Sequence, residues 1–127
     1  MAFIVDGMNV IGTRPDGWWR DRGAARERLV AEVARLGDIE GRATVVFDGR
    51  AAAGEVERAA QAGVSIVFAP GGPNAADDAI VEIVSVLDRP GDTTVVTSDR
   101  GLVERLGRFG VKIERAKTFR SRLDSSP

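Results

Sequence analysis

Short runs of consecutive apolar residues recur along the chain, and each ends in polar or turn-forming residues. The first run, residues 3–5, is followed by Asp6 and Gly7, and two later runs end at Asp48 and Asp99. A short apolar run closed by turn-forming residues is typical of a buried strand. Because the carboxyl ends of parallel strands meet at one edge of a sheet, we expect Asp6, Asp48 and Asp99 to lie close together there.

Helical patterns separate these strands. Leu29, Val33 and Leu36 recur at helical spacing and indicate the buried face of the first helix. Arg28 and Glu32 are expected to pair on its outer face. In chain order, we predict strands at residues 3–6, 44–47, 64–68, 93–97 and 111–114 and helices at residues 24–36, 51–62, 75–87, 101–106 and 117–123.

The alternation of strands and helices predicts an α/β fold, a three-layer α/β/α sandwich with a five-stranded, mainly parallel sheet covered on both faces. With 127 residues and no internal repeat, we expect one domain at residues 1–124 and a frayed tail at residues 125–127. Gly37 and Asn74 are expected to cap the end of the first helix and the start of the third. Residues 80–87 are apolar on almost every side, so the third helix should be well buried.

The composition narrows the chemistry that the chain can perform. The sequence has no cysteine and no histidine, which excludes disulfides, thiolate metal sites, the usual general base and the usual zinc ligand. The 18 basic residues nearly balance the 19 acidic ones, so the net charge indicates no particular partner. No basic leader or apolar signal region precedes the first strand, and no apolar run could span a bilayer, so we expect a cytoplasmic protein.

Three fingerprints of phosphate chemistry are missing from the sequence. No G-x-G-x-x-G follows the first strand, so a dinucleotide cofactor is not expected. No G-K-[ST] follows a glycine-rich loop, which excludes a P-loop ATPase. Phosphatases with an aspartate nucleophile carry a second acid two places after the first, and here that place is Met8. A receiver-like domain is disfavoured because it needs an acid pair after the first strand, which is also absent.

Several carboxylates at one edge of a sheet require a compensating charge. Two carboxylates about 4 Å apart repel one another by roughly 4 kcal/mol at an effective dielectric constant near 20. Mg²⁺ and Mn²⁺ prefer oxygen ligands and need only one or two direct carboxylates. Since such an ion activates water and stabilises charge on a phosphodiester, the acids predict metal-assisted phosphodiester hydrolysis.

Four short segments carry a resemblance to a known family. They are VDGMNVIG at residues 5–12, VFD at residues 46–48, ADDAI at residues 76–80 and VTSDR at residues 96–100. In this order they resemble the motifs of the NYN domain, in its YacP-like branch within the PIN-like nuclease class. The resemblance implies the strand order 3-2-1-4-5 and an endoribonuclease that uses Mg²⁺ or Mn²⁺. Some YacP-like members act on messenger RNA at the ribosome, so RNA and the ribosome are the partners that the resemblance implies.

The resemblance also implies catalytic roles for the residues that match these motifs. Asp6 would be the central metal ligand. Asp77 and Asp99 would complete the metal site, directly or through water. Asp48 would support the site from the adjacent strand, and Asn9 would position Asp6, the scissile phosphate or a metal-bound water.

Two further motif residues have less certain roles. Ser98 is expected to donate a hydrogen bond to one of the metal ligands. Asp78 is an alternative to Asp77, because neighbouring residues of a helix point in different directions. Asp77 is preferred, since Ile80 must face the core.

The loop after the first strand is expected to contact the substrate, because it leaves the same edge of the sheet. Trp18 is expected to stack on RNA bases. Arg14 and Arg20 are expected either to contact phosphates or to be solvated surface residues. Of the adjacent Trp18 and Trp19, one is expected to pack inside and the other to be exposed. Arg100 is expected to contact substrate or to pair with the preceding aspartate.

A second class of function remains open. An aspartate before a helix commonly caps it, so each acid taken alone has a purely structural explanation. The alternative to the nuclease is a non-catalytic PIN-like RNA-binding or scaffold module. Such a module is expected to lack some of these acids, and this chain has all of them, which favours the enzyme.

Overall fold

The computed structural model describes residues 2–36 and 42–125, and these residues form one five-stranded parallel sheet. The strands are β1 (Ala2–Asp6), β2 (Ala43–Asp48), β3 (Val64–Ala69), β4 (Thr93–Val96) and β5 (Lys112–Glu114). Their order across the sheet is β3-β2-β1-β4-β5, and all pairs are parallel. The predicted fold class and strand order are therefore confirmed, and β1 lies at the centre of the sheet.

In the described part of the chain, six α-helices connect and cover the strands. They are α1 (Gly7–Ile11), α2 (Arg22–Ala34), α3 (Glu55–Gln61), α4 (Ala75–Ser85), α5 (Arg100–Leu106) and α6 (Ala116–Ser125). Since side chains alternate along a strand, β1 contributes to two cores. Phe3 and Val5 pack with α1, α2 and α6, whereas Ile4 packs with α4 and α5. The next residue on the second face is Asp6.

The helix α1 was not predicted from the sequence. It has five residues and begins immediately after β1, where the sequence pattern shows only a turn. Gly7 allows this start, because a Cβ atom there would collide with the aromatic ring of Phe47. A helix this short has too few residues to show a periodic apolar pattern.

The structure corrects one predicted helix start and one predicted helix cap. The predicted helix at residues 51–62 begins only at Glu55, because Gly54 has a left-handed φ of +75° and cannot be helical. Asn74 does occupy the position before α4, but it has a φ of +68° and its side chain makes no capping hydrogen bond.

The expectation that residues 80–87 would be well buried was wrong in part. Ile80 and Val84 are buried against the sheet, but Val86 is 78% exposed and α4 ends at Ser85. The helix covers the sheet with one face only, so the remaining apolar residues of this segment are half-buried or exposed.

The predicted ion pair between Arg28 and Glu32 was also wrong. Arg28 pairs with Asp16 at 3.1 Å, while Glu32 is buried and accepts two hydrogen bonds of 3.0 Å from Arg120. Arg120 therefore joins α6 to α2. Such a partner lies 88 residues away in sequence and cannot be inferred from helical spacing.

Other expectations for the helices were confirmed. Leu29, Val33 and Leu36 are buried, as the helical spacing predicted.

The helix α6 is longer than predicted and continues through Ser125, one residue into the predicted tail. The proposed cap at Gly37 and the last two residues, 126–127, lie outside the described residues. Of the helices in the described part of the chain, none is both long and apolar enough to cross a membrane.

Candidate active site

Asp6 is the last residue of β1 and lies at the carboxyl edge of the sheet, between its two neighbouring strands. It is only 6% exposed, and its side chain lies on the same face as Ile4, toward α4 and α5. The hydroxyl of Thr97, just beyond β4, donates a 2.8 Å hydrogen bond to Asp6 Oδ2. The central carboxyl group of the chain is therefore buried and held in place by a neutral donor.

Burial and neighbouring charge raise the pKa of Asp6 from 3.8 to about 6. Desolvation is the largest cause, and the carboxylates of Asp77 and Asp99 raise the pKa further. The hydrogen bond from Thr97 and the nearby backbone N–H of Asn9 lower it, although Asn9 does not form a capping bond of normal geometry. A carboxyl group shifted in this way is destabilised as an anion and would be stabilised by a cation.

Asp99 lies at the start of α5 and caps that helix. Its Oδ1 accepts a 3.0 Å hydrogen bond from the backbone N–H of Leu102. Its own N–H donates to the Thr97 hydroxyl at 3.1 Å, so Thr97 links Asp99 to Asp6. The capping role of Asp99 and its proximity to Asp6 are both present, and neither excludes the other.

The structure distinguishes the adjacent acids Asp77 and Asp78 in the first turn of α4. Asp77 is half-buried, and burial together with the carboxylate of Asp99 raises its pKa. Asp78 is exposed and pairs with Arg105 on α5 at 2.8 Å. Asp77 therefore belongs to the acidic group with Asp6 and Asp99, whereas Asp78 joins two helices at the surface.

Asp48 is placed at the same edge of the sheet but apart from this group. The strand register pairs Asp6 with Val46, so Asp48 extends two residues farther along β2. It is exposed, and it is not among the groups that shift the pKa of Asp6. The expected convergence of three strand-end acids is thus seen for Asp6 and Asp99 but not for Asp48.

Asn9 and Ser98 lie on the side of the site that faces α6. The side-chain oxygen of Asn9 accepts a 2.8 Å hydrogen bond from the backbone N–H of Ser98. The Ser98 hydroxyl accepts from the backbone N–H of Ala116 at 2.8 Å, so it contacts α6, and the expected bond to a metal ligand is not seen. These bonds fix α1 and α6 to the segment that carries Thr97 and Asp99.

Thr97 is the site residue that the sequence analysis missed. It is fully buried and contacts both Asp6 and Asp99. The sequence contains a signal that could have identified it. Thr97 follows Val95 by two residues and must therefore face the same side of the sheet as Val95 and Ile4.

The residues predicted to contact the substrate are only partly free to do so. Arg14 forms an ion pair with Asp124 on α6. Trp18 is covered by Arg22, which was not a predicted contact and whose guanidinium carbon lies 5.3 Å from the centre of the ring. Trp18 packs against the core and Trp19 is 53% exposed, so the expected division between the two tryptophans is confirmed. Arg20, which lies 5.9 Å from the ring of Trp19, and Arg100 are both exposed.

The acidic group matches the chemistry of a hard divalent cation in its donors. Asp6, Asp77 and Asp99 offer oxygen ligands only. Burial and then the two neighbouring carboxylates raise the pKa of Asp6, and no basic side chain is among the groups that shift it. Within residues 2–36 and 42–125, however, no three acidic side chains lie close enough to hold one ion directly. The donors therefore suit an ion that keeps several water ligands and is bound by one or two carboxylates.

Comparison with known proteins identifies the family. The family model for the YacP-like NYN domain matches residues 3–127. No curated protein sequence matches the chain. Two crystal structures of Rae1 (YacP) from Bacillus subtilis have the same fold, one of them a tryptophan-to-leucine mutant. The mutant structure is 22% identical, with a TM-score of 0.74 over 98% of this chain and 76% of that chain.

The second Rae1 (YacP) structure gives a similar result. It is 20% identical, with a TM-score of 0.71 over 98% of this chain and 74% of that chain. At this level of identity, the likeness shows the fold and does not transfer an activity. The match of the family model across nearly the whole sequence shows that the chain belongs to the YacP-like NYN domain family, a nuclease-type domain.

Proposed function

We propose that this protein is a metal-dependent endoribonuclease whose active site is the acidic group at the carboxyl edge of the sheet. The observation that supports it most is the buried carboxyl of Asp6, which has two further carboxylates near enough to raise its pKa. Placing three interacting carboxyl groups close together, with Asp6 buried and the other two partly buried, is unfavourable for the folded protein unless they serve a cation. Membership of a nuclease-type family supports the same function.

The cofactor that fits these donors is Mg²⁺ or Mn²⁺. Asp6, Asp77 and Asp99 would hold it, some of them through water. When bound, such an ion supplies an activated water molecule and stabilises charge on the phosphodiester. Asp6 must be ionised to bind it, and Thr97 keeps the Asp6 carboxyl oriented by donating its hydroxyl hydrogen.

Two predicted catalytic residues keep supporting roles in this proposal. Asn9 holds the backbone of Ser98 and thereby positions the segment between β4 and Asp99. Asp48 lies farther along the same edge. There it would contact a substrate or a water molecule and would not bind the ion held by Asp6. The ribosome, as the place of cleavage, stays a prediction from the family resemblance.

The alternative, a non-catalytic RNA-binding or scaffold module, is favoured by one observation. In the part of the chain that the structure describes, the acids do not form a preassembled three-carboxylate site. A module without turnover would need no such site. The two proposals differ in whether the acids are required for cleavage, and a cleavage assay separates them.

The test uses a circular single-stranded RNA, which has no ends and can be opened only by an endonuclease. With Mn²⁺ we expect the wild-type protein to convert the circle into linear products, and with EDTA we expect no product. Asp77→Asn should lose cleavage at least tenfold, because Asp77 belongs to the acidic group. Its neighbour Asp78→Asn is the matched control and should keep activity, since Asp78 pairs with Arg105. An intact circle with Mn²⁺, or equal activity of both variants, would contradict the proposal.

A further inference from the structure

Two open clefts border the acidic group on the side of β4 and β5. The first has a volume of about 640 Å³, and its lining includes Thr97, Ser98, Arg100, Ile113 and Arg115. The second has a volume of about 510 Å³, and its lining includes Asn9, Thr13, Ser98, Arg115 and Lys117. Since Ser98 and Arg115 line both, the two clefts are adjacent, and the pair is called the depression.

Both clefts reach residues that touch the proposed active site. The first reaches Thr97, which donates a hydrogen bond to Asp6. The second reaches Asn9, which accepts a hydrogen bond from the segment that carries Asp99. A chain molecule lying across the two clefts would therefore pass next to Thr97, which contacts Asp6, and next to Asn9, which holds the segment carrying Asp99.

The basic residues of the depression are exposed and available. Arg100, Arg115 and Lys117 form no ion pair with any residue in the described part of the chain. Arg14, by contrast, already pairs with Asp124. Phosphate binding needs exposed cations that are not committed elsewhere, and these three satisfy that need better than Arg14.

The second cleft has the stronger character of a phosphate site. Arg115 and Lys117 contribute two positive charges to it, and no acidic residue is part of its described lining. The Ser98 hydroxyl accepts a hydrogen bond from Ala116 and the Asn9 oxygen accepts one from Ser98, so the hydroxyl hydrogen of Ser98 and the amide N–H groups of Asn9 provide neutral donors of the kind that commonly contact phosphate and sugar. The first cleft also contains Glu104, so its charge is partly cancelled.

We infer that this depression binds the sugar-phosphate backbone of single-stranded RNA, with Arg115 and Lys117 as phosphate contacts that guide the strand past Asp6. The inference rests on the proposed nuclease function for its purpose, but binding is measured without cleavage. The main substrate contact is then the segment between β5 and α6, and not the loop containing Arg14 and Arg20.

The experiment measures the affinity of the full chain for a short fluorescein-labelled oligouridine by fluorescence anisotropy in EDTA. Arg115→Gln/Lys117→Gln is compared with Arg89→Gln/Arg108→Gln. The control pair removes the same charge from exposed residues that precede β4 and β5, at the opposite edge of the sheet. Equal charge loss in both variants separates a local contact from a general effect of net charge.

We expect the first variant to bind about tenfold or more weakly than wild type, and the control to bind within about twofold. The slope of log K against log salt should fall by about 1.4 in the first variant, since each phosphate contact on a single strand contributes about 0.7. Equal affinities of the two variants, or no binding of oligouridine by the wild type, would overturn the inference.

The failure of this inference can be distinguished from the failure of the proposed function. If only the inference fails, circular RNA is still cleaved with Mn²⁺, and Arg115→Gln/Lys117→Gln cleaves it with an unchanged KM. If only the nuclease proposal fails, the two variants still differ in RNA affinity in EDTA although no RNA is cut.

Discussion

Asp6 is the residue in which fold and proposed chemistry conflict most directly. It continues the apolar face of β1, where Ile4 packs with α4 and α5, yet it carries an ionisable group. One hydrogen bond from Thr97 compensates for part of its lost hydration, while Asp77 and Asp99 oppose its ionisation. Without a cation, the ionised form of Asp6 should therefore lower the stability of the folded protein.

This conflict predicts a pH-dependent stability in EDTA. The pKa of Asp6 is about 6 in the folded protein and 3.8 when unperturbed. The stability that Asp6 contributes is fully present below pH 3.8 and is lost as the pH rises through 6. The loss is about 3 kcal/mol, at 1.36 kcal/mol per unit of pKa shift. Asp6→Asn should therefore be more stable than wild type at pH 7.5, by up to about 3 kcal/mol, and similar to it near pH 4.

Urea unfolding of both proteins across this pH range measures the difference. Asp78→Asn serves as the control, because Asp78 is exposed and its substitution should not reproduce the effect. A stability difference between Asp6→Asn and wild type that does not change between pH 4 and pH 7.5 would show that Asp6 is not shifted as described.

At the scale of elements, close packing between α1 and β2 determines how the chain leaves β1. Gly7 begins α1 directly after Asp6, and any Cβ at this position would collide with the ring of Phe47. Gly7→Ala should destabilise the protein by about 1–3 kcal/mol, the usual cost of an added methyl group in a packed core. Gly72→Ala is the control, since a Cβ at Gly72 would meet no atom within 4 Å.

Thermal unfolding monitored by circular dichroism suffices for this comparison. We expect Gly7→Ala to have a clearly lower Tm, while Gly72→Ala stays close to wild type. Equal Tm values would mean that Phe47 moves away without penalty and that the contact does not fix the position of α1.

The sequence predicted those elements that have a local pattern. The strands and the helix α2 have clear apolar periodicity, and their existence and type are confirmed. The helix α1 was missed because five residues show no period, and α3 was extended wrongly across Gly54. The pairing of Glu32 with Arg120 was missed because it depends on how α6 lies against α2, which no local pattern contains.

The candidate site was predictable to a similar extent. That Asp6 and Asp99 meet follows from strand endings and strand order. The separation of Asp48 depends on strand register, which was not available from the sequence. The choice of Asp77 over Asp78 was predicted from the position of Ile80, and the ion pair between Asp78 and Arg105 agrees with that preference.

At the scale of the whole molecule, the carboxyl edge of the sheet carries two groups of opposite charge. The acidic group lies beyond β1 and at the starts of α4 and α5. Arg115 and Lys117, which form no ion pair within residues 2–36 and 42–125, lie beyond β5, at the start of α6. A divalent cation at the first group and RNA phosphates at the second would together neutralise this edge.

Calorimetric titration of Mn²⁺ into the free protein tests this claim most directly. We predict saturable binding at pH 7.5 that Asp6→Asn and Asp77→Asn lose and that Asp78→Asn retains. Binding should weaken as the pH falls below about 6, because Asp6 must be ionised to bind the ion. No Mn²⁺ binding by the wild type, or a loss of binding in Asp78→Asn as large as in Asp77→Asn, would contradict a metal site at Asp6, Asp77 and Asp99.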